Sequence, residues 1–348
     1  MFIETFETSL SAQSLQLIFG LVLGLIFGAA AQASKFCLRR AVANDAGPDK
    51  SAMSVWVSAL GAAVVAFALA SILGLVATSD HRFQSPELPV AAIIFGGLLF
   101  GTGMILTRGC VSRLTVLSAT GNLRAVMVLA VFALAAHATL KGVLAPVRTT
   151  IGSLSFDAPS GVLAHAPSAS LSVGLALLIF GGLLARQSQT RLTHPALGAL
   201  IGVVAVVGWM TTSILLMDEF DPLPVQSAAF TLPWSDTLFW FVASTSIPAG
   251  FGVGYIGGVL TGSFLSASLR GELALQSFET PRQTLRYSAG GALMGVGGVL
   301  AGGCTIGAGL SGGAMLSISA LLALASVVSG ALLMRRLLTP RPSAKVAI

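Results

Sequence analysis

The sequence predicts an all-α membrane protein of about nine transmembrane helices, joined by short re-entrant helices in a partial inverted repeat. Three observations predict it. Of the 348 residues 55% are hydrophobic and only 9% are charged, with a mean hydropathy of +0.89, beyond what water tolerates on a domain of this size. The apolar residues fall into stretches of roughly 18 to 25, the length that carries a helix across about 30 Å of hydrocarbon. Finally, two distant segments repeat a glycine-rich helix that runs into Gly-Cys. A transmembrane barrel would need alternating polarity, and the run from Val90 to Gly103 does not alternate.

Taken in order, the spans are expected at about 15–34, 52–77, 90–108, 123–146, 170–186, 195–217, 237–260, 285–303 and 314–334. They form a single membrane domain over 1–348, because no connection is long enough for a soluble domain. The segment Met1 to Ser14 carries Glu4 and Glu7 and no basic residue, so it lacks the positive region of a cleaved signal peptide and the first span is expected to persist. On this layout all but three of the 19 Lys and Arg (Arg82, Lys141 and Arg148) fall on one side. The positive-inside rule then places the chain in a cytoplasmic (bacterial inner) membrane, with the N-terminus outside and the C-terminus in the cytoplasm. The opposite loops agree, since Met217 to Asp221 is acidic and Leu154 to Ser170 is rich in Ser, Pro and Gly.

The net charge of +6 is spread over short loops, so it reads as loop bias and not as a nucleic-acid surface. No phosphate-cradling motif is present, and neither an enzymatic reaction nor a cofactor is expected. Three cysteines, Cys37, Cys110 and Cys304, are odd in number and far apart in sequence, which argues against a disulfide framework and against a paired-cysteine metal site. Free thiols are expected.

The repeat sets Gly96 to Gly103, leading to Arg108-Gly109-Cys110, beside Gly290 to Gly297, leading to Gly302-Gly303-Cys304. A second echo sets Gly20, Gly24 and Gly28 before Cys37-Leu38-Arg39 beside Gly250, Gly254 and Gly258 before Ser268-Leu269-Arg270. The halves are read as 15–150 and 237–335, entering the membrane from opposite faces. Helices that break inside a membrane must line a polar path or be buried in protein. The run Gly302 to Gly313 could turn several N–H groups toward an anion, although small residues also simply pack helices. A lone thiol in an apolar helix is usually a small hydrophobe; the repeated positions of Cys110 and Cys304 favour use. Lys35, Arg39, Arg40, Arg108 and Arg113 supply positive charge nearby, or mark the interface. His137 and Lys141, four apart, could face a path, or Lys141 could snorkel. Acidic residues are nearly absent from the spans, which suits an anion better than a cation or proton.

Lys35-Phe36-Cys37-Leu38-Arg39-Arg40-Ala41, Arg108-Gly109-Cys110 and Gly302-Gly303-Cys304-Thr305-Ile306-Gly307 together resemble the YeeE/YedE family of bacterial sulphur-compound transporters, over nearly the whole chain. The resemblance implies an hourglass of spanning and re-entrant helices, import of thiosulfate or a related small sulphur anion, and a relay along Cys37, Cys110 and Cys304 by transient thiol hydrogen bonds. On this view Gly109, Gly302 and Gly303 shape the constriction, and Thr305, Lys35 and Arg108 flank it. It also implies a small cytoplasmic sulphur-carrier protein as partner. The alternative is a membrane thiol-redox or persulfide-handling protein.

Overall fold

In lipid each apolar stretch must satisfy its own N–H and C=O groups, and a helix does so. The computed structural model describes residues 12–45, 47–76, 87–157, 166–215 and 224–338. They form α1 (Ala12–Ser34), α2 (Leu38–Ala43), α3 (Lys50–Ile72), β1 (Glu87–Leu88), α4 (Val90–Leu106), α5 (Val111–Ala119), α6 (Leu123–Leu140) and α7 (Ala145–Gly152). There follow β2 (Phe156–Asp157), α8 (Pro167–Gln187), α9 (Thr193–Met210), α10 (Thr231–Val242), α11 (Phe251–Leu269), α12 (Pro281–Leu300) and α13 (Ile318–Leu338). Two π-helical turns occupy Thr211–Leu215 and Gly307–Gly312. Strand structure among the described residues is limited to β1 and β2, paired antiparallel with Glu87 opposite Asp157. The chain is an all-α, multi-pass membrane protein.

Among the described residues eight helical segments are long and apolar enough to cross a bilayer: Ala12–Ala43, Lys50–Ile72, Val90–Ala119, Leu123–Leu140, Pro167–Gln187, Thr193–Ile214, Phe251–Leu269 and Ile318–Leu338. Helix α12 lies where a further span is expected, but Arg282, Arg286 and its glycines make it less apolar than these. The expected span 237–260 divides between α10 and α11. Its break holds Pro248 and Gly250, which cannot continue a helix comfortably. The polar residues Thr261 to Ser268 are helical: Thr261 and Ser268 bond the carbonyls of Gly257 and Phe264, one turn back. The acidic segment Met217 to Asp221, the middle of the 154–170 loop, Arg82 and both chain ends lie outside the described residues.

Glycine decides how the long helices meet. A methyl group at Gly20, Gly24 or Gly28 would sit 2.2–2.3 Å from the carbonyl oxygens of Phe251, Tyr255 and Val259, and one at Gly254, Gly258 or Gly262 would sit 2.1 Å from those of Leu17, Leu21 and Leu25. Backbone lies on backbone, the close approach that small residues allow in membranes. The rising numbers on both sides make α1 and α11 parallel. Of the second sequence echo, Gly20, Gly24 and Gly28 therefore pack on the helix that carries Gly254 and Gly258, while Gly250 faces open space. Helices α4 and α12 show the antiparallel version, with Gly96 against Gly297 and Gly103 against Gly290. Helix α3 lies parallel to α9 through Val55 on Gly198 and Ala59 on Gly202, and α4 lies parallel to α13 through Gly101 on Val327. Helix α6 lies parallel to α12 through Val128 on Gly291 and Phe132 on Gly295.

Candidate functional site

All three cysteines arise from the same local fold. A helix ends, the residue two places before the cysteine turns left-handed, and the cysteine leads into the next helical segment. Those left-handed residues are Lys35 (φ 53), Arg108 (φ 58) and Gly302 (φ 75). Each left-handed residue donates its N–H to the carbonyl three residues earlier: Lys35 to Gln32, Arg108 to Ile105 and Gly302 to Val299. Phe36 and Gly109 reach back further, to Ala31 and Met104, which completes a Schellman cap in the first two cases. Cys37 and Cys110 then stand at the N-caps of α2 and α5 in extended backbone, and Cys304 precedes the π turn. The Thr107 hydroxyl, bonded to the carbonyls of Gly103 and Gly109, pins the second break.

All three thiols are free and buried, exposed by 6%, 1% and 1%. In each case the N–H three residues on is directed at the sulfur. At Cys304 it closes a bond, Gly307 N to Sγ at 3.4 Å; at Cys37 and Cys110 the Arg40 and Arg113 amides point the same way at longer range. The Cys37 and Cys110 thiols are adjacent, and Cys110 Sγ also meets Ser112 Oγ at 3.2 Å. Thr305 also lies beside Cys110, next in the chain to Cys304, toward which the Phe230 amide turns. Rings of Phe27, Phe230 and Tyr255 close around that end, with centroids 5.5 to 5.8 Å apart. Three hydroxyls in this region, on Thr231, Tyr255 and Thr305, are buried without a hydrogen-bond partner. Buried hydroxyls are normally satisfied, so unspent donors beside a thiol are the chemistry a polar ligand would use.

Of the remaining expected residues, Gly303 is tightly constrained, since a methyl there would lie 2.7 Å from the Ala308 nitrogen, whereas at Gly109 the nearest atom is a Leu114 methyl at 3.4 Å. Lys35 and Arg108 are exposed and serve as the left-handed helix ends. Lys141 is exposed at the C-cap of α6. His137 turns to α10, with Nδ1 3.0 Å from Ser235 Oγ and its ring stacked on Phe239.

A residue that reads as an interface marker in the sequence, Arg113, is instead beside the Cys37 and Cys110 sulfurs. Its Nη1 donates to Gln32 Oε1 at 3.4 Å. Gln32 is legible only as a polar residue in an apolar helix. Below it, Asp49 caps α3 through the Ser51 and Ala52 amides and pairs with Arg40 at 2.7 Å. Partial burial works against the Asp49 charge, but the Arg40 guanidinium and the two amides outweigh it and hold the carboxyl below its usual range. No cluster of His, Cys, Asp and Glu that could hold a metal ion occurs among the described residues.

Residues 33–333 match the protein family described as "Sulphur transport", a match that takes in all three cysteine modules. The chain belongs to the sulphur-transport family. Within it, the chain is similar to the thiosulfate transporter TsuA of Spirochaeta thermophila, 27% identical over 307 residues that cover 82% of this chain and 88% of that protein. It is also similar to the thiosulfate transporter TsuA of Escherichia coli, 24% identical over 325 residues, covering 82% and 84%. The repeated cysteine modules thus sit in a sulphur-transport chain whose buried centre is made of thiols, hydroxyls and backbone N–H groups.

Proposed function

We propose that this protein imports thiosulfate, or a closely related small sulphur anion, across the bacterial inner membrane past Cys304, Cys110 and Cys37 in turn. The observation that carries the reading is the threefold use of one helix break to bring a buried thiol, with an N–H behind it, to successive points between the two halves of the bundle. The anion exchanges its water for thiol and N–H donors, each contact weak enough to release it to the next. A soft terminal sulfur suits thiols better than a hard sulfate oxygen does. The likeness to two thiosulfate transporters supports the substrate. The N-terminus lies outside and the C-terminus in the cytoplasm, where a small sulphur-carrier protein takes the anion.

Packing supports halves that run α1–α6 and α9–α13, in place of 15–150 and 237–335. The α4–α12 pair is then its own two-fold mate. The α1–α11 contact mirrors α9–α3, and α4–α13 mirrors α12–α6. Cys110 corresponds to Cys304, and Cys37, the N-cap of α2, corresponds to Phe230, the N-cap of α10.

Uptake of radiolabelled thiosulfate by cells lacking other sulphur importers tests the proposal. Native uptake should collapse in Cys110→Ala and Cys304→Ala at equal expression; undiminished uptake in both would remove the thiols from the path. The adjacency of Cys37 and Cys110 favours a second reading, a thiol-redox or persulfide protein, which requires a persulfide or disulfide on these two residues in mass spectra of turning-over protein.

A further inference from the structure

Beyond the thiols, on the side of the basic loops, a cavity of about 240 Å³ lies where the end of α1, helix α5 and the α11–α12 connection meet. Its polar lining includes Gln32, Lys35, Arg113, Asn122, Glu272 and Gln276, beside Thr120. Arg113 is the link to the thiols, since its charge acts on Cys37 and Cys110 at one end and on Glu272 at the other. The connection to Glu272 runs through one side chain: Arg113 Nη1 donates to Gln32 Oε1 at 3.4 Å, and Gln32 Nε2 donates to Glu272 Oε2 at 2.8 Å. Arg270 holds the other carboxylate oxygen at 3.5 Å. A guanidinium carries five N–H donors in a planar fork, and its hydrogen bond to Gln32 engages one of them.

Glu272 reaches this place because its segment is strapped across the α5–α6 turn. Ala274 N bonds Thr120 O and Gln276 N bonds Gly121 O, both at 3.1 Å; Leu123 N returns to Gln276 O at 2.9 Å. Arg124 pairs with Glu279 at 3.0 Å. Gly121 (φ 100) lets the strap lie this close, since a methyl there would meet the Ala274 carbonyl at 2.9 Å. The strap is anchored from Ala274 onward; ahead of that anchor the Glu272 backbone is fixed by the cap of α11, with Glu272 N bonded to Ala267 O at 2.9 Å, so that it is the carboxylate, held by the Gln32 and Arg270 side chains, that is free to swing.

We propose that this cavity is a second anion site, the exit station of the path, in which Arg113 receives the sulphur anion from the Cys37–Cys110 pair and Glu272 withdraws to admit it. The proposal rests on the reading that such an anion passes the thiols. The same guanidinium cannot serve two anions at full strength in a partly buried space, so the tethered carboxylate and the arriving anion exclude each other. Glu272 then has two effects: it balances Arg113 when the site is empty, and it repels the anion out of the site once admitted, so that the strongest charge on the path does not become a trap.

The test is the rate at which charged methanethiosulfonate reagents modify Cys37 and Cys110 in purified protein in nanodiscs, resolved by mass spectrometry, with thiosulfate uptake measured on the same variants. Glu272→Gln should speed the anionic reagent about tenfold, as removal of one like charge close to the site would, and leave the cationic reagent no faster. Arg113→Gln should slow the anionic reagent below native, and in the double variant the gain from Glu272→Gln should vanish. Equal acceleration of both reagents in Glu272→Gln would mean loosened packing and overturn the proposal, as would no change in either. Charge-selective labelling without native thiosulfate uptake would keep the anion site and overturn the substrate reading alone.

Discussion

One methyl group added at each of two equivalent glycines gives the sharpest check on the path. In Gly303→Ala the new carbon would stand 2.7 Å from the Ala308 nitrogen and 3.1 Å from its Cβ, where ordinary contact begins at 3.4 Å, so backbone must give by about 0.7 Å. The atoms that must move hold the thiol in place. Ala308 N donates to Cys304 O at 2.9 Å, and Gly307 N donates to Cys304 Sγ at 3.4 Å. A shift of that size carries the sulfur contact beyond hydrogen-bonding distance. Overpacking of this kind costs about 1–3 kcal/mol. Expressed on the rate of passage, that is roughly fivefold to 150-fold less thiosulfate uptake. Gly109→Ala places its methyl against a Leu114 methyl at 3.4 Å with no backbone in the way, so uptake should stay within about twofold of native. Initial uptake rates at matched expression, with thermal unfolding in detergent as the folding control, decide it. A Gly109→Ala loss equal to that of Gly303→Ala, or native rates in both, would refute the placement of Cys304 as a constrained station.

Gly302→Ala meets no atom within 4 Å but must hold φ 75; it should cost about 1–2 kcal/mol of stability, and Gly302→Asn should recover much of it on the same melting curves. Gly258→Ala puts a methyl 2.1 Å from the Leu21 carbonyl and should lower the melting temperature more than Gly257→Ala, whose methyl has open space. Asp49→Ala removes the cap of α3 and the partner of Arg40, a loss of about 1–2 kcal/mol. Because the folded carboxyl is held below its usual range, that contribution is complete above the unfolded value of about 4 and fades as pH falls through the folded one. The gap in melting temperature between native and Asp49→Ala should therefore be constant from neutral pH to about 5 and close under stronger acid.

Helices were legible wherever apolar residues ran long enough to fill a bilayer, and both Gly-Cys breaks were legible because glycine before a thiol is unusual in a span. What composition could not show is which glycines share a helix pair. The glycines at 20, 24 and 28 share their spacing with those at 254, 258 and 262 because the two faces press on each other, and complementarity in packing leaves the same sequence mark as descent from a repeat. The division of 237–260 was hidden because hydropathy averages across the 243–250 break. Arg113 was ambiguous for a related reason: a basic residue near a span end marks the interface in most chains, and only the fold of α5 back beside Cys37 turns it inward.

The two-fold correspondence makes the departures from symmetry informative. The third residue after Cys304 is Gly307, which offers sulfur an N–H and nothing more. The third after Cys110 is Arg113, which offers an N–H and a guanidinium. Likewise Cys37 answers to Phe230, so one half presents two adjacent thiols with positive charge behind them, and the other presents one thiol inside a ring of aromatics with unspent hydroxyls. An anion moving from the aromatic end to the basic end exchanges neutral donors for charged ones, and attraction should increase along the way. Left uncompensated, that gradient would hold the anion at Arg113. Glu272 stands where the correction is required, and it is contributed by the half opposite to the one that supplies Arg113, so the final step of passage depends on how the two halves meet.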